Sequence, residues 1–80
     1  MKSEKHIKIT GYSNISWKDA IVKSIEEASK TLDNLTSIRV LEQRANIQNN
    51  KICEYLVDLD ISFIIESVQN TQNSDEQDSL

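Results

Sequence analysis

The sequence predicts an α+β domain of order β-α-β-β, a three-stranded antiparallel sheet wrapped around one amphipathic helix. Three observations carry this. Residues 17–32 place apolar side chains at steps of three and four, the period of a helix with one buried face. Residues 51–65 place Cys53, Tyr55, Val57, Leu59, Ile61, Phe63 and Ile65 on odd numbers only, the period of a strand with one buried face. Asn49-Asn50 lies between two strand-like runs, and asparagine tolerates the positive φ that a two-residue hairpin turn requires.

The elements follow in order. His6-Ile7-Lys8-Ile9-Thr10 alternates polar and apolar and predicts the first strand, closed by Gly11. Ser13-Asn14-Ile15-Ser16 carries turn and cap chemistry. Ser16 with Asp19 three residues on forms an acidic variant of the capping box. A helix from Trp17 to Leu32 then presents Trp17, Ala20, Ile21, Ile25, Ala28 and Leu32 on one face, and Asp33-Asn34 ends it. The second strand runs from Thr36 to Gln48 and the third from Lys51 to Ile65.

A tight Asn49-Asn50 turn fixes the hairpin register. Gln48 opposes Lys51, so Ile38 opposes Ile61 and Val40 opposes Leu59, an apolar patch for the helix. On the other face Arg39 opposes Asp60, Ser37 opposes Ser62, Leu41 opposes Asp58 and Gln43 opposes Leu56. One helix covers one face only. Leu41, Leu56 and Ile64 are therefore expected to stay partly exposed on the other. A domain of about 65 residues buries only ~60% of its unfolded surface, so self-association through the open face is expected.

Composition bounds the function. The 80 residues carry nine Lys+Arg against thirteen Asp+Glu, a net charge of −4. Four of the acids fall in residues 66–80, which hold no base, leaving nine acids against nine bases in residues 1–65. Residues 1–65 are read as the folded domain and residues 66–80 as an acidic disordered tail, too poor in apolar side chains to offset its ordering entropy. Net acidity speaks against nucleic acid as partner. No apolar run reaches the ~18–20 residues of a membrane span. The single cysteine and the missing signal-peptide pattern predict a cytoplasmic setting.

Candidate chemistry is sparse. His6 and Cys53 cannot build a metal site alone, and Cys53 reads as an inert core thiol. No acid–base pair or activated nucleophile is present, so an enzyme is not expected. Glu54, Asp58 and Asp60 share one strand face, with Asp58 and Asp60 ~6–7 Å apart. With carboxylates from other copies they would form a site for Ca²⁺ or Mg²⁺. Pairing of Asp60 with Arg39 is the plainer reading.

Five segments in order resemble the dodecins. They are Gly11-Tyr12-Ser13, Ser16-Trp17-Lys18-Asp19-Ala20, the run from Ala28 to Leu35, Val40-Leu41-Glu42-Gln43-Arg44, and the run from Tyr55 to Phe63. The resemblance implies a flavin-binding homododecamer, a hollow shell that stores a small ligand such as riboflavin, FMN or FAD. It also implies three ligand positions. Ser37 stands where the family has a ring-stacking tryptophan. Leu56 stands where it has a glutamine bonded to the flavin's polar edge. Arg44 keeps the arginine beside the flavin phosphate. Stacking on an aromatic side chain is worth ~1–3 kcal/mol per ring, so flavin affinity is expected to be weakened or lost. The alternative the resemblance offers is a dodecin that has given up flavin and binds Ca²⁺, or is purely an assembly.

Overall fold

The computed structural model describes residues 2–66. The chain forms β1 (Lys2–Ser13), α1 (Trp17–Ser29), β2 (Leu35–Gln48) and β3 (Lys51–Glu66). All pairing is antiparallel, in the order β1-β3-β2. The predicted fold class is therefore observed. Both strands flanking β3 are edges, and α1 packs across β1 and β3. Of the acidic tail expected over 66–80, only Glu66 is described, as the last residue of β3. No helix among the described residues is long and apolar enough to cross a membrane.

The helix start follows its cap. Ser16 has extended backbone and its Oγ accepts from the Asp19 amide at 2.9 Å. The reciprocal half of the box is relayed. Asp19 accepts from the Ser13 hydroxyl at 2.6 Å, and that hydroxyl in turn accepts from the Ile15 amide at 2.9 Å. Lys23 closes on Asp19 at 3.0 Å one turn on. The helix ends at Ser29, three residues short of expectation. Thr31 and Leu32 bond back to Ala28 in a closing turn, and Asn34 takes φ 61° to leave it.

Gly11 corrects the first-strand expectation. It lies inside β1 and does not end it. A Cβ there would collide with Ser24 Oγ and sit 3.0 Å from the Ala20 carbonyl and 3.3 Å from Val57 Cγ2. The missing side chain lets the helix ride close on the sheet. The buried helix stripe is accordingly Ala20, Ser24 and Ala28, one small residue per turn. Ser24 satisfies its hydroxyl on the Ala20 carbonyl at 2.7 Å. The core is Ala20, Ala28, Val57, Leu59 and Ile61, with Ile7, Ile9, Trp17, Ile21, Leu35 and Ile38 packed around it. Full burial of Val57, Leu59 and Ile61 contributes about 1.5–3 kcal/mol each.

The Asn49-Asn50 turn has φ 53° and 63°, as a type I′ hairpin requires. The register it starts is interrupted three times. One irregularity lies between Asn46 and Ile47, where Cys53 on β3 is extra, one between Val40 and Glu42, where Leu41 on β2 is extra, and one between Leu35 and Ser37, where Thr36 on β2 is extra. Each inserts one residue, and the first two, on opposite strands, cancel, while the third sets Leu35 opposite Phe63. Ile38–Ile61, Arg39–Asp60, Val40–Leu59 and Ser37–Ser62 therefore pair as expected. Between the bulges the pairs are Glu42–Asp58, Gln43–Val57, Arg44–Leu56 and Asn46–Glu54. The expected pairs Leu41–Asp58 and Gln43–Leu56 do not form.

Three further expectations change with this. Cys53 is exposed at its bulge and does not pack in the core. Val40 is 41% exposed, because α1 does not reach that far over β2. Leu56 is only 6% exposed although it lies on the face without the helix. It sits on the middle strand, flanked by Tyr12 on one side and Arg44 on the other.

Candidate functional site

The open face of the sheet gathers the polar side chains. The bulge at Leu41 decides who is on it. Before the bulge, Ser37 and Arg39 face outward; after it, Glu42, Arg44 and Asn46 do, each opposite an even-numbered residue of β3. In an unbroken register Arg44 would lie opposite Tyr55 on the helix side. The extra residue brings it beside Leu56.

Arg44 is tightly held. Its Nε donates to Asp58 Oδ2 at 3.2 Å and its Nη2 to Asp58 Oδ1 at 2.9 Å, the two-bond fork of an arginine–carboxylate pair. Thr10 Oγ1 donates to the same Oδ1 at 2.8 Å. The Arg44 and Thr10 bonds hold the Asp58 carboxyl below the usual carboxylate range, and Asp58 holds the Arg44 guanidinium above its own. The Arg44 carbonyl accepts from the indole Nε1 of Trp17 at 2.8 Å, and Trp17 meets Tyr55 edge-on with ring centres 4.9 Å apart. Thus β1, β3 and α1 all fix Arg44.

The expected acidic set divides into separate partnerships. Glu54 accepts from Asn46 Nδ2 at 2.9 Å. Asp58 is taken by Arg44 and Thr10. Asp60 Oδ2 lies 3.3 Å from Arg39 Nη2 and 3.4 Å from His6 Nδ1. The Asp60 Oδ1 is buried and has no hydrogen-bond partner. Among the described residues no group of three His, Cys, Asp or Glu side chains is placed to hold a metal ion.

The expected ligand positions are also divided. Arg44 and Leu56 are direct cross-strand partners, whereas Ser37 opposes Ser62. Six residues along β3 separate Leu56 from Ser62, about 20 Å of strand. Ser37 instead borders an apolar groove of about 210 Å³ with Ile25, Leu35, Thr36, Ile38 and Ile61, smaller than the ~300 Å³ at which small-molecule pockets begin.

One residue on this face is new. Tyr12 opposes Leu56 from β1 and is 55% exposed. Tyr12, Leu56 and Arg44 form a row across all three strands. The signal was present: Tyr12 shares parity with His6, Lys8 and Thr10. Ending the first strand at Gly11 hid it.

The family model described as Dodecin matches residues 4–66. Among solved structures, an arginine-to-alanine mutant of the T. thermophilus dodecin is 31% identical, with TM-score 0.80, covering 85% of this chain and all (100%) of its own. The dodecin from Streptomyces davaonensis is 27% identical, with TM-score 0.78, covering 82% and 97%. A calcium chelating antigen from Mycobacterium tuberculosis, called calcium dodecin and described with a novel calcium-binding site, is 29% identical, with TM-score 0.69, covering 89% and 97%. No curated protein sequence matches the chain.

Proposed function

Because the chain belongs to the dodecin family, we propose that it is a homo-oligomeric, dodecameric shell that binds and stores a small ligand and catalyses no reaction. The observation that carries this is the division of the ligand positions. Arg44 and Leu56 lie side by side, while Ser37 is about 20 Å away on the same sheet face. A flavin ring is far shorter than that, so these positions serve one ring only where the pocket is shared between copies, which supports an oligomer. The ligand is a flavin by family, held more weakly than a dodecin site with its tryptophan and glutamine. Ser37 offers no ring, and Leu56 offers no hydrogen bond.

Native mass spectrometry of freshly purified protein tests both parts. A particle of twelve chains carrying a flavin mass supports the reading. A monomer at micromolar concentration that leaves riboflavin and FMN fluorescence unquenched ends it.

A second reading, divalent-cation binding, is favoured by Asp60. Its buried Oδ1 lacks a partner, and a structurally similar dodecin is named for calcium. Glu54 and Asp60 lie about 20 Å apart along β3, so it is Asp60 that would contribute a carboxylate to a site completed by other copies. Calorimetry with Ca²⁺ and with Mg²⁺ decides: heat of binding with either supports it, and no heat together with no melting shift removes it.

A further inference from the structure

The Arg44 guanidinium is already occupied by an anion from its own chain. Asp58 presents two carboxylate oxygens to Arg44 Nε and Nη2 at 3.2 and 2.9 Å. This is the same planar fork with which arginine grips two oxygens of a phosphate. The carboxylate is not free to swing away. Thr10 anchors it from β1 at 2.8 Å, and Trp17 anchors the Arg44 main chain from α1 at 2.8 Å.

The charges around the pair leave no surplus cation. Glu42 is the cross-strand partner of Asp58. Lys8 borders the same shallow groove as Thr10, Leu41 and Asp58. Two cations face two anions there. A phosphate taking the Nε–Nη2 fork of Arg44 must break two charge-assisted bonds and sit beside the displaced Asp58 carboxylate, and one that uses the remaining Nη1 edge still sits beside Asp58. Like charges at such separations repel, the more so away from bulk water. Along the row from Arg44, across the buried Leu56, Tyr12 offers exposed aromatic surface.

We propose that Asp58 fills the phosphate position of Arg44, so that the site takes an uncharged ring ligand and rejects its phosphorylated forms. This rests on the reading that the ligand binds this sheet face. It assigns Asp58 as the residue that sets specificity, by pairing the charge and the bonding fork of Arg44, and Tyr12, 55% exposed, as the surface the ring meets.

The test is fluorescence titration of riboflavin and FMN against the full chain and three variants. The unaltered protein binds riboflavin at least as tightly as FMN. Asp58→Asn removes the competing charge and shifts the preference toward FMN by tenfold or more. Arg44→Gln changes both affinities by the same factor, because the phosphate does not use the guanidinium in the unaltered protein. Thr10→Val loosens Asp58 and shifts the preference in the direction of Asp58→Asn by a smaller factor. Tenfold tighter binding of FMN than riboflavin by the unaltered protein overturns the proposal. So does a selective loss of FMN in Arg44→Gln, which holds even if Asp58→Asn does not fold. Should no form bind either flavin, the flavin reading fails on its own, and inorganic pyrophosphate decides the proposal. A melting shift in Asp58→Asn or Thr10→Val but not in the unaltered protein supports it, and equal response in all forms overturns it.

Discussion

The indole Nε1 of Trp17 donates to the main-chain carbonyl of Arg44 at 2.8 Å. A residue opening the helix thus holds the backbone of a residue on the edge strand, 27 positions on. Trp17 is consequently part of the frame of the site, although its ring faces Tyr55 on the opposite side of the sheet from Leu56. Trp17→Phe keeps an aromatic ring against Tyr55 and removes the bond. It is expected to cost about 0.5–1.5 kcal/mol, the net worth of one hydrogen bond. Trp17→Ala loses the edge-to-face contact as well, a further 0.5–1.5 kcal/mol or so. Urea unfolding at fixed protein concentration measures both. Equal stability of Trp17→Phe and the unaltered protein would show that the indole bond adds nothing.

Gly11 makes the sharpest packing prediction. Its added Cβ would meet Ser24 Oγ, the Ala20 carbonyl and Val57 Cγ2. All three belong to buried neighbours. Gly11→Ala is expected to destabilise by about 1–3 kcal/mol, as overpacking does. Adding Ser24→Ala removes the worst collision and recovers part of the loss. The Ala20 carbonyl at 3.0 Å is backbone, so recovery is incomplete. Stabilities of the single and double variants, compared as a cycle, read this directly. Additive losses would show that Gly11 and Ser24 are not in contact.

How much of this was legible follows from which residues carry local signals. The cap at Ser16, the hairpin turn at Asn49-Asn50 and the alternation in β3 act over a few positions, and each was found where its pattern lies. The register is right beside the turn and again from Val40 back to Ser37 for a hidden reason. The bulge at Cys53 is undone by the bulge at Leu41, so the pairs from Val40 back to Ser37 are those of an unbroken ladder, until the extra Thr36 sets Leu35 opposite Phe63. Neither bulge has a glycine to announce it. The site suffered most, because Arg44 lies between the two. Its position was found by resemblance, but its contact with Asp58 depends on a face change that no single residue signals. The length of β1 was missed for a tertiary reason. Gly11 reads as a strand end, yet it is there for the helix packed above it.

The three left-handed residues among those described, Asn34, Asn49 and Asn50, are all asparagine. The single glycine is spent on packing instead. Left-handed backbone costs an ordinary L-residue roughly 1–2 kcal/mol, and asparagine less. Asn49→Val and Asn50→Val are each expected to lose about 1–2 kcal/mol, while Asn50→Gly holds or gains a few tenths, roughly, as in the favoured Asn-Gly turn. Asn34→Gly should likewise be tolerated and Asn34→Val not. Chemical denaturation of the five variants tests the series. A valine as stable as the glycine at position 50 would show that the turn is not type I′.

Acid should unfasten both ends of the site by a route whose sign is fixed. The Asp19 carboxyl is held below the usual range first by the Ser13 hydroxyl, then by Lys23. Asp58 is held low by Arg44 and Thr10. In both, the folded chain favours the ionised form more than the unfolded chain does. The unfolded state therefore binds more protons as pH falls past its carboxylate value near 4. The stability these groups supply is complete above that pH and is lost as pH falls through their lower folded values. Melting temperature from these groups should be flat from neutral pH down to about 5 and then drop. Asp19→Asn should be less stable than the unaltered protein at neutral pH, with a shallower acid slope, so the two curves converge below about pH 4. Asp58→Asn should behave alike. A gap that stays constant from neutral to acid pH would show that these contacts do not depend on the carboxylate charge, and that Asp58 does not neutralise Arg44.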